Sequence, residues 1–142
     1  MSKLTRILQS IALALLALVL AGCPQKREDL LREETLQRFE AVVRWNQFDS
    51  IIDFIHPDWL EEHPVSDLDI ERLHQFRVSQ YRLVQVMSLP DGSGFDRLIQ
   101  LRMTNRHTAR ERLVEYTEAW RWDEERKRWM LHSPPPDPSR SR

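Results

Sequence analysis

The chain has 142 residues, with 21 Lys and Arg against 22 Asp and Glu, and a single cysteine. That length accommodates a leader and one domain large enough to bury a core without staples. Interspersed, near-balanced charge excludes the clustered basic surplus of a nucleic-acid-binding protein. One cysteine excludes an intramolecular disulfide and thiolate metal sets.

Lys3 and Arg6 form a short basic start with no acid nearby. An apolar run follows from Ile11 to Leu20, then the small residues Ala21 and Gly22 and the lone Cys23. The run is shorter than the about 20 residues needed to span a bilayer, and it matches the apolar core of a secretory signal. Leu20-Ala21-Gly22-Cys23 resembles the bacterial lipobox. The resemblance implies cleavage before Cys23, a diacylglyceryl thioether on its sulfur and acylation of its new amine. Residues 1–22 are therefore expected to be a lipoprotein signal peptide, and Cys23 the lipid anchor. The competing readings are an ordinary secreted chain and an uncleaved membrane helix. Pro24, rather than Asp, follows the cysteine. In a Gram-negative host this favours the outer membrane, facing the periplasm.

Pro24–Arg27 reads as a tether of roughly 14 Å if extended. Residues 28–133 read as one domain. An amphipathic helix is expected over 28–46, with Leu31, Leu36, Phe39, Val42 and Val43 on one side. Asp49 is placed to cap a short second helix carrying Ile51, Ile52, Phe54 and Ile55, ended by Pro57. Residues 58–64 read as a loop around Trp59. Ser66 and Asp69 resemble a capping box opening a third helix to about Phe76.

The period then changes from 3.6 to 2. Strands are expected over 77–89, 95–105, 111–122 and 128–132. Pro90-Asp91-Gly92-Ser93-Gly94 makes the first turn. Parity assigns the faces. Ile99, Leu101 and Met103 share one with Val114, Tyr116, Glu118, Trp120 and Trp122 when Met103 pairs with Val114. Pairing Trp122 with Trp129 adds Leu131. The opposite face, with Gln100, Arg102, Thr104, Glu115, Thr117, Arg121 and His132, is expected to be wet. The first strand alternates poorly, so parity does not set its register. From residue 134 the Pro-rich end is expected to be a disordered tail.

The fold class is therefore α+β: N-terminal helices packed on the tryptophan face of a curved antiparallel sheet of about four strands. Two stretches carry a family resemblance. They are Phe39-Glu40-Ala41-Val42-Val43-Arg44-Trp45 with Phe48 and Ile51-Ile52, and Trp120-Arg121-Trp122 through Arg128-Trp129-Met130-Leu131. This pattern is similar to the nuclear-transport-factor-2-like (SnoaL-like) superfamily. The resemblance implies a cone-like sheet wrapped around a helical hairpin, sheets that often pair as dimers, and in some members a ligand or a catalytic carboxylate inside the cone.

Glu118 is the one ionisable residue in the apolar series of the third strand. The expected register sets it across from Ile99, with Gln85 on the other side. Glu118 and Gln85 among Tyr116, Trp120 and Trp122 would make a polar patch in an aromatic pocket, where burial raises the carboxyl pKa. The competing reading pairs Glu118 with an arginine and makes it structural. His56 and His63 flank Asp58, but no third metal ligand is marked, and no metal or other cofactor is implied. The leading functional expectation is a lipid-anchored, non-enzymatic envelope module that binds a protein or small ligand. The alternatives are an enzyme using Glu118 and a dimeric structural component of the envelope.

Overall fold

The computed structural model describes residues 24–140; the expected signal peptide, Cys23 and the last two residues lie outside the described residues. Helix α1 spans Pro24–Arg44. The expected tether is thus the first turn of the helix, a place where proline is tolerated because its missing N–H has no partner there anyway. Lys26 and Arg27 are exposed on that turn. At the other end Asn46 leaves the helix with φ 60°. Its N–H donates to Val43 O at 3.2 Å, and the Gln47 N–H donates to Val42 O at 2.9 Å. This is a left-handed helix stop, which asparagine adopts more readily than most residues. The Asn46 Oδ1 also accepts from the Val78 N–H at 2.8 Å, tying the helix end to the sheet. Trp45, inside the expected helical motif, faces solvent.

A 3-10 helix, Phe48–Phe54, buries Phe48 and Ile51. Asp49 does not cap it; the Asp49 carboxylate meets His74 Nε2 at 3.0 Å instead. Where a loop was expected, α2 forms over Pro57–Glu62. Pro57 ends one element and starts the next, since its fixed φ suits a first helical position. His56 is extended before it, and its Nδ1 accepts from the Asp58 N–H at 3.2 Å. Helix α3, Asp67–His74, carries the expected capping box. The Ser66 N–H donates to Asp69 Oδ2 at 3.0 Å, and the Asp69 N–H donates to Ser66 Oγ at 3.3 Å.

Strands β1 (Phe76–Ser88), β2 (Gly94–Asn105), β3 (Glu111–Asp123) and β4 (Arg128–Leu131) form an open antiparallel sheet in the order β1-β2-β3-β4. The helices pack on one face of it, so the fold is α+β. From α1, Phe39 and Val43 enter the core one helical turn apart, against Ile99, Leu101, Val114 and Trp120 from the sheet. Phe39 sets its ring edge-on to Trp120, with centroids 5.2 Å apart.

Parity assigned the faces of β2 and β3 as observed, but the register differs. Val114 pairs with Leu101, and Met103 with Arg112, two residues from the expected pairing. An even offset leaves every side chain on its own face and changes only its neighbours. Gly94 ends the first turn and opens β2 opposite Arg121 of β3. A Cβ there would lie 2.3 Å from the Trp120 carbonyl oxygen. The outer face is wet and polar: Arg102 Nη1 reaches Glu111 at 2.7 Å, and Arg121 Nη1 reaches Asp96 at 2.8 Å.

The C-terminal stretch through Arg140 is laid against the domain rather than free. Pro135, Pro136 and Pro138 are buried, and the Pro138 carbonyl accepts from Arg112 Nη1 at 2.8 Å. Prolines that cannot join a ladder still offer apolar rings and fixed φ, so ordering them costs little entropy.

Candidate functional site

The offset register decides the surroundings of Glu118. Its partner across β2 is Arg97, not Ile99. Arg97 shares the odd parity of Ile99, Leu101 and Met103, so it too points inward and is buried. Arg97 Nη1 donates to Glu118 Oε2 at 3.2 Å. The Trp120 indole N–H donates to the same oxygen at 2.9 Å. The Tyr81 hydroxyl donates to Oε1, and the Arg97 guanidinium lies over the Tyr81 ring, 5.9 Å from its centroid. A carboxylate with no solvent exposure therefore has one cation and two neutral donors.

Burial pushes the Glu118 carboxyl above its ordinary value, while Arg97, Tyr81 and Trp120 pull it back down; the net direction is upward. Burial, with the Glu118 charge beside it, likewise drives the Tyr81 hydroxyl far above the usual phenol range. Both groups are buried, and the hydrogen bonds of Glu118 run to Tyr81, Arg97 and Trp120 inside the core.

Of the expected pocket residues, the fold unites Glu118, Tyr116 and Trp120 in the core. Gln85 is excluded. Irregularities in β1 between Val78 and Gln80 and between Leu83 and Gln85 shift its phase, so Gln85 pairs with Leu98 and is exposed. Tyr81 stands at the cluster in its place. Trp122 is half-buried at the rim, its ring 5.6 Å from Trp129. The Tyr116 hydroxyl is buried beside Ser133 without a well-formed hydrogen bond. The expected aromatic pocket is thus a filled, ion-paired core. Arg97 and Tyr81 were missed; the signal for Arg97 was its parity with the apolar residues of β2.

His56, His132 and Asp123 form a second polar cluster. His56 Nε2 meets Asp123 Oδ2 at 3.0 Å, and its ring lies 4.8 Å from that of His132. In the neutral ring, His56 Nδ1 accepts from the Asp58 N–H and the Nε2–H faces the Asp123 carboxylate. Burial, followed by the neighbouring His56, pushes His132 below the ordinary imidazole value. His63 stacks on Trp59 at 4.5 Å, away from both. Among the described residues no group of three His, Cys, Asp or Glu is placed to hold a metal ion.

Asp123 organises the β3–β4 turn. Its Oδ1 accepts from the N–H groups of Glu125 and Arg126 at 2.9 and 2.8 Å. The Arg126 backbone N–H is the main reason its carboxyl lies below the usual range, at about 2. A depressed carboxyl contributes stability above its ordinary value and loses it as pH falls through the folded value. Asp123→Ala is expected to cost about 1.5–3 kcal/mol near neutral pH, as loss of hydrogen bonds to a charged acceptor does. The deficit should close as pH drops toward about 2, where the parent Asp123 is itself protonated. Urea unfolding across an acidic pH series checks this; a deficit independent of pH would sink the assignment.

Four clefts lie elsewhere on the domain. One of about 620 Å³ runs between Trp59, Val65 and α3 on one side and the proline segment on the other. Another of about 520 Å³ follows α1, the 3-10 helix and β4. Two smaller clefts border the first turns of α1. None of these four is lined by Glu118. Among the described residues no helix is long and apolar enough to cross a membrane. The chain matches no protein-family model, no curated protein and no solved structure.

Proposed function

We propose that the chain is a lipid-anchored cell-envelope protein, held by Cys23 and acting as a non-enzymatic binding or interaction module. The observation that carries the anchor is the order of basic start, apolar run and Leu20-Ala21-Gly22-Cys23. The start of α1 at Pro24 agrees with it, because the folded domain then begins next to the proposed lipid. Pro24 after the cysteine supports the outer membrane, facing the periplasm. The non-enzymatic reading rests on Glu118, whose oxygens face three internal donors rather than a cleft. The order of helices followed by an antiparallel meander supports kinship in architecture with the nuclear-transport-factor-2-like superfamily, and that kinship is part of the proposal.

The anchor reading is tested on the whole chain, expressed in a Gram-negative host. Intact mass of the purified protein is expected to show an N-terminus at Cys23 carrying a diacylglyceryl group and an amide-linked acyl chain. Cys23→Ser should remove the lipid and move the protein out of the washed membrane fraction, since roughly 0.8 kcal/mol of membrane affinity per buried CH₂ goes with each chain. A mature protein with an unmodified Cys23, or the same fractionation for both forms, would overturn the reading.

A further inference from the structure

The second half of β1 is unusual for a chain that is 30% charged. Leu83-Val84-Gln85-Val86-Met87-Ser88, and Leu89 and Pro90 just after it, contain no charge at all. It lies on an edge strand, paired only with β2. Leu83, Val84, Val86 and Met87 are each 46–51% exposed. An exposed apolar edge of this kind is a hazard that soluble proteins usually blunt with charge or cover.

The β1–β2 turn and the first turns of α1 lie at the same end of the molecule. Asp91, Gly92 and Ser93 line one cleft together with Glu28, Asp29 and Arg32. Arg97, the partner of Val86 across β2, lines the neighbouring cleft with Lys26 and Leu30. Leu30 is itself 65% exposed. Glu28 is roughly 6 Å along the helix from Pro24, and Pro24 follows Cys23 directly. The proline segment packs at the opposite end, near Phe76 and Arg112.

Resting on the anchor reading, we infer that the uncharged half of β1, with Leu30, is a second membrane contact that lies in the lipid interface beside the Cys23 acyl chains. A lipid anchor alone leaves the domain free to pivot. Apolar side chains at the same end would set its orientation, holding the proline-lined cleft at the opposite end away from the bilayer. The two signals then act together, as anchors supplemented by a second contact do. The interface supplies water and headgroups for the unpaired N–H and C=O groups of the edge strand, which the hydrocarbon core would not.

The test uses the acylated full chain in vesicles of phosphatidylethanolamine and phosphatidylglycerol. Met87→Cys is labelled with an environment-sensitive dye; acylation of Cys23 leaves residue 87 as the one free thiol. Arg77→Cys, exposed on the same strand at the far end, is the control. The expected result is a blue shift of the dye at position 87, quenching by brominated acyl chains and protection from iodide, with none of these at position 77. If both dyes behave alike while the protein stays on the vesicles, the inference falls and the anchor stands. A blue shift at 87 that persists without vesicles and grows with protein concentration overturns it in favour of a second copy on the edge strand. Two dyes per chain and no retention on vesicles would overturn the anchor itself, and the inference with it.

Discussion

Arg97→Ala is expected to cost about 3–5 kcal/mol of folding stability, the usual result of stranding one member of a buried pair. Arg97 and Glu118 are both buried, 3.2 Å apart. The cost should depend on pH, in a direction set by Glu118. In the folded parent the Glu118 carboxyl lies above its ordinary value of 4.5 because burial outweighs its donors. A group raised in this way contributes stability fully below its unfolded value and loses that contribution as pH rises through the folded value. In that window the unfolded chain has released the proton that the folded chain retains. Removing Arg97 takes away the chief influence pulling Glu118 down, so the folded value climbs further and the losing window widens upward. The penalty of Arg97→Ala should therefore be small below the ordinary carboxyl value of 4.5 and grow as pH rises above it. Glu118→Gln, a stand-in for the protonated acid, should flatten the parent's decline but leave the Arg97 charge buried without its counter-ion. Urea unfolding at a series of pH values measures all three curves. An Arg97→Ala variant within about 1 kcal/mol of the parent at every pH would mean that the pair contributes no more than a surface bridge.

Trp120→Ala should cost a similar amount, about 3–5 kcal/mol, for a different reason. Trp120 is fully buried, edge-on to Phe39 at 5.2 Å and to Phe54 at 6.5 Å. It is the largest side chain joining α1, the 3-10 helix and β3. Its indole N–H also serves Glu118. Trp120→Phe separates the two contributions. It keeps an aromatic ring near Phe39 and removes one donor, so its cost should fall to about 1–3 kcal/mol. With a donor gone, Glu118 should also move further upward, and the stability of Trp120→Phe should decline more steeply than the parent's between weakly acidic and neutral pH. Combining Trp120→Phe with Glu118→Gln should cost less than the two separately, because both changes weaken the same hydrogen bond. Strict additivity would show that the indole N–H acts independently of the carboxylate.

Much of the architecture was legible in the chain. The capping box at Ser66 and Asp69 was readable because each side chain serves the backbone of the other, three residues away. The first β-turn was marked by Pro90 through Gly94, where Gly92 takes φ 73°. The inner face of β2 and β3 followed from alternation. Other features were not readable. Pro57 carries the same local restriction whether a loop or a helix comes after it, and the choice of α2 came with the packing of Trp59 and Leu60 on the core. The C-terminal prolines gave a correct signal for the end of the sheet, but whether they lie on the domain depends on surfaces contributed by α3, β1 and β3.

The candidate site divides along the same line. Side-chain direction in a strand is a local property of the pleat, so the sequence by itself determined that Glu118 points inward beside Tyr116 and Trp120, and that the chain is helices followed by a one-sided sheet. Register is a property of two strands at once. An offset of two residues preserves every face, and alternation is blind to it, yet it replaces Ile99 with Arg97 opposite Glu118. The irregularities in β1 add to this, because each changes the phase of the residues after it; together they bring Tyr81 to the carboxylate and send Gln85 to the surface. An apparent open polar patch in an aromatic pocket thereby became a closed ion pair. Only the tertiary structure decided that, since the charge that neutralises Glu118 lies 21 residues away on another strand.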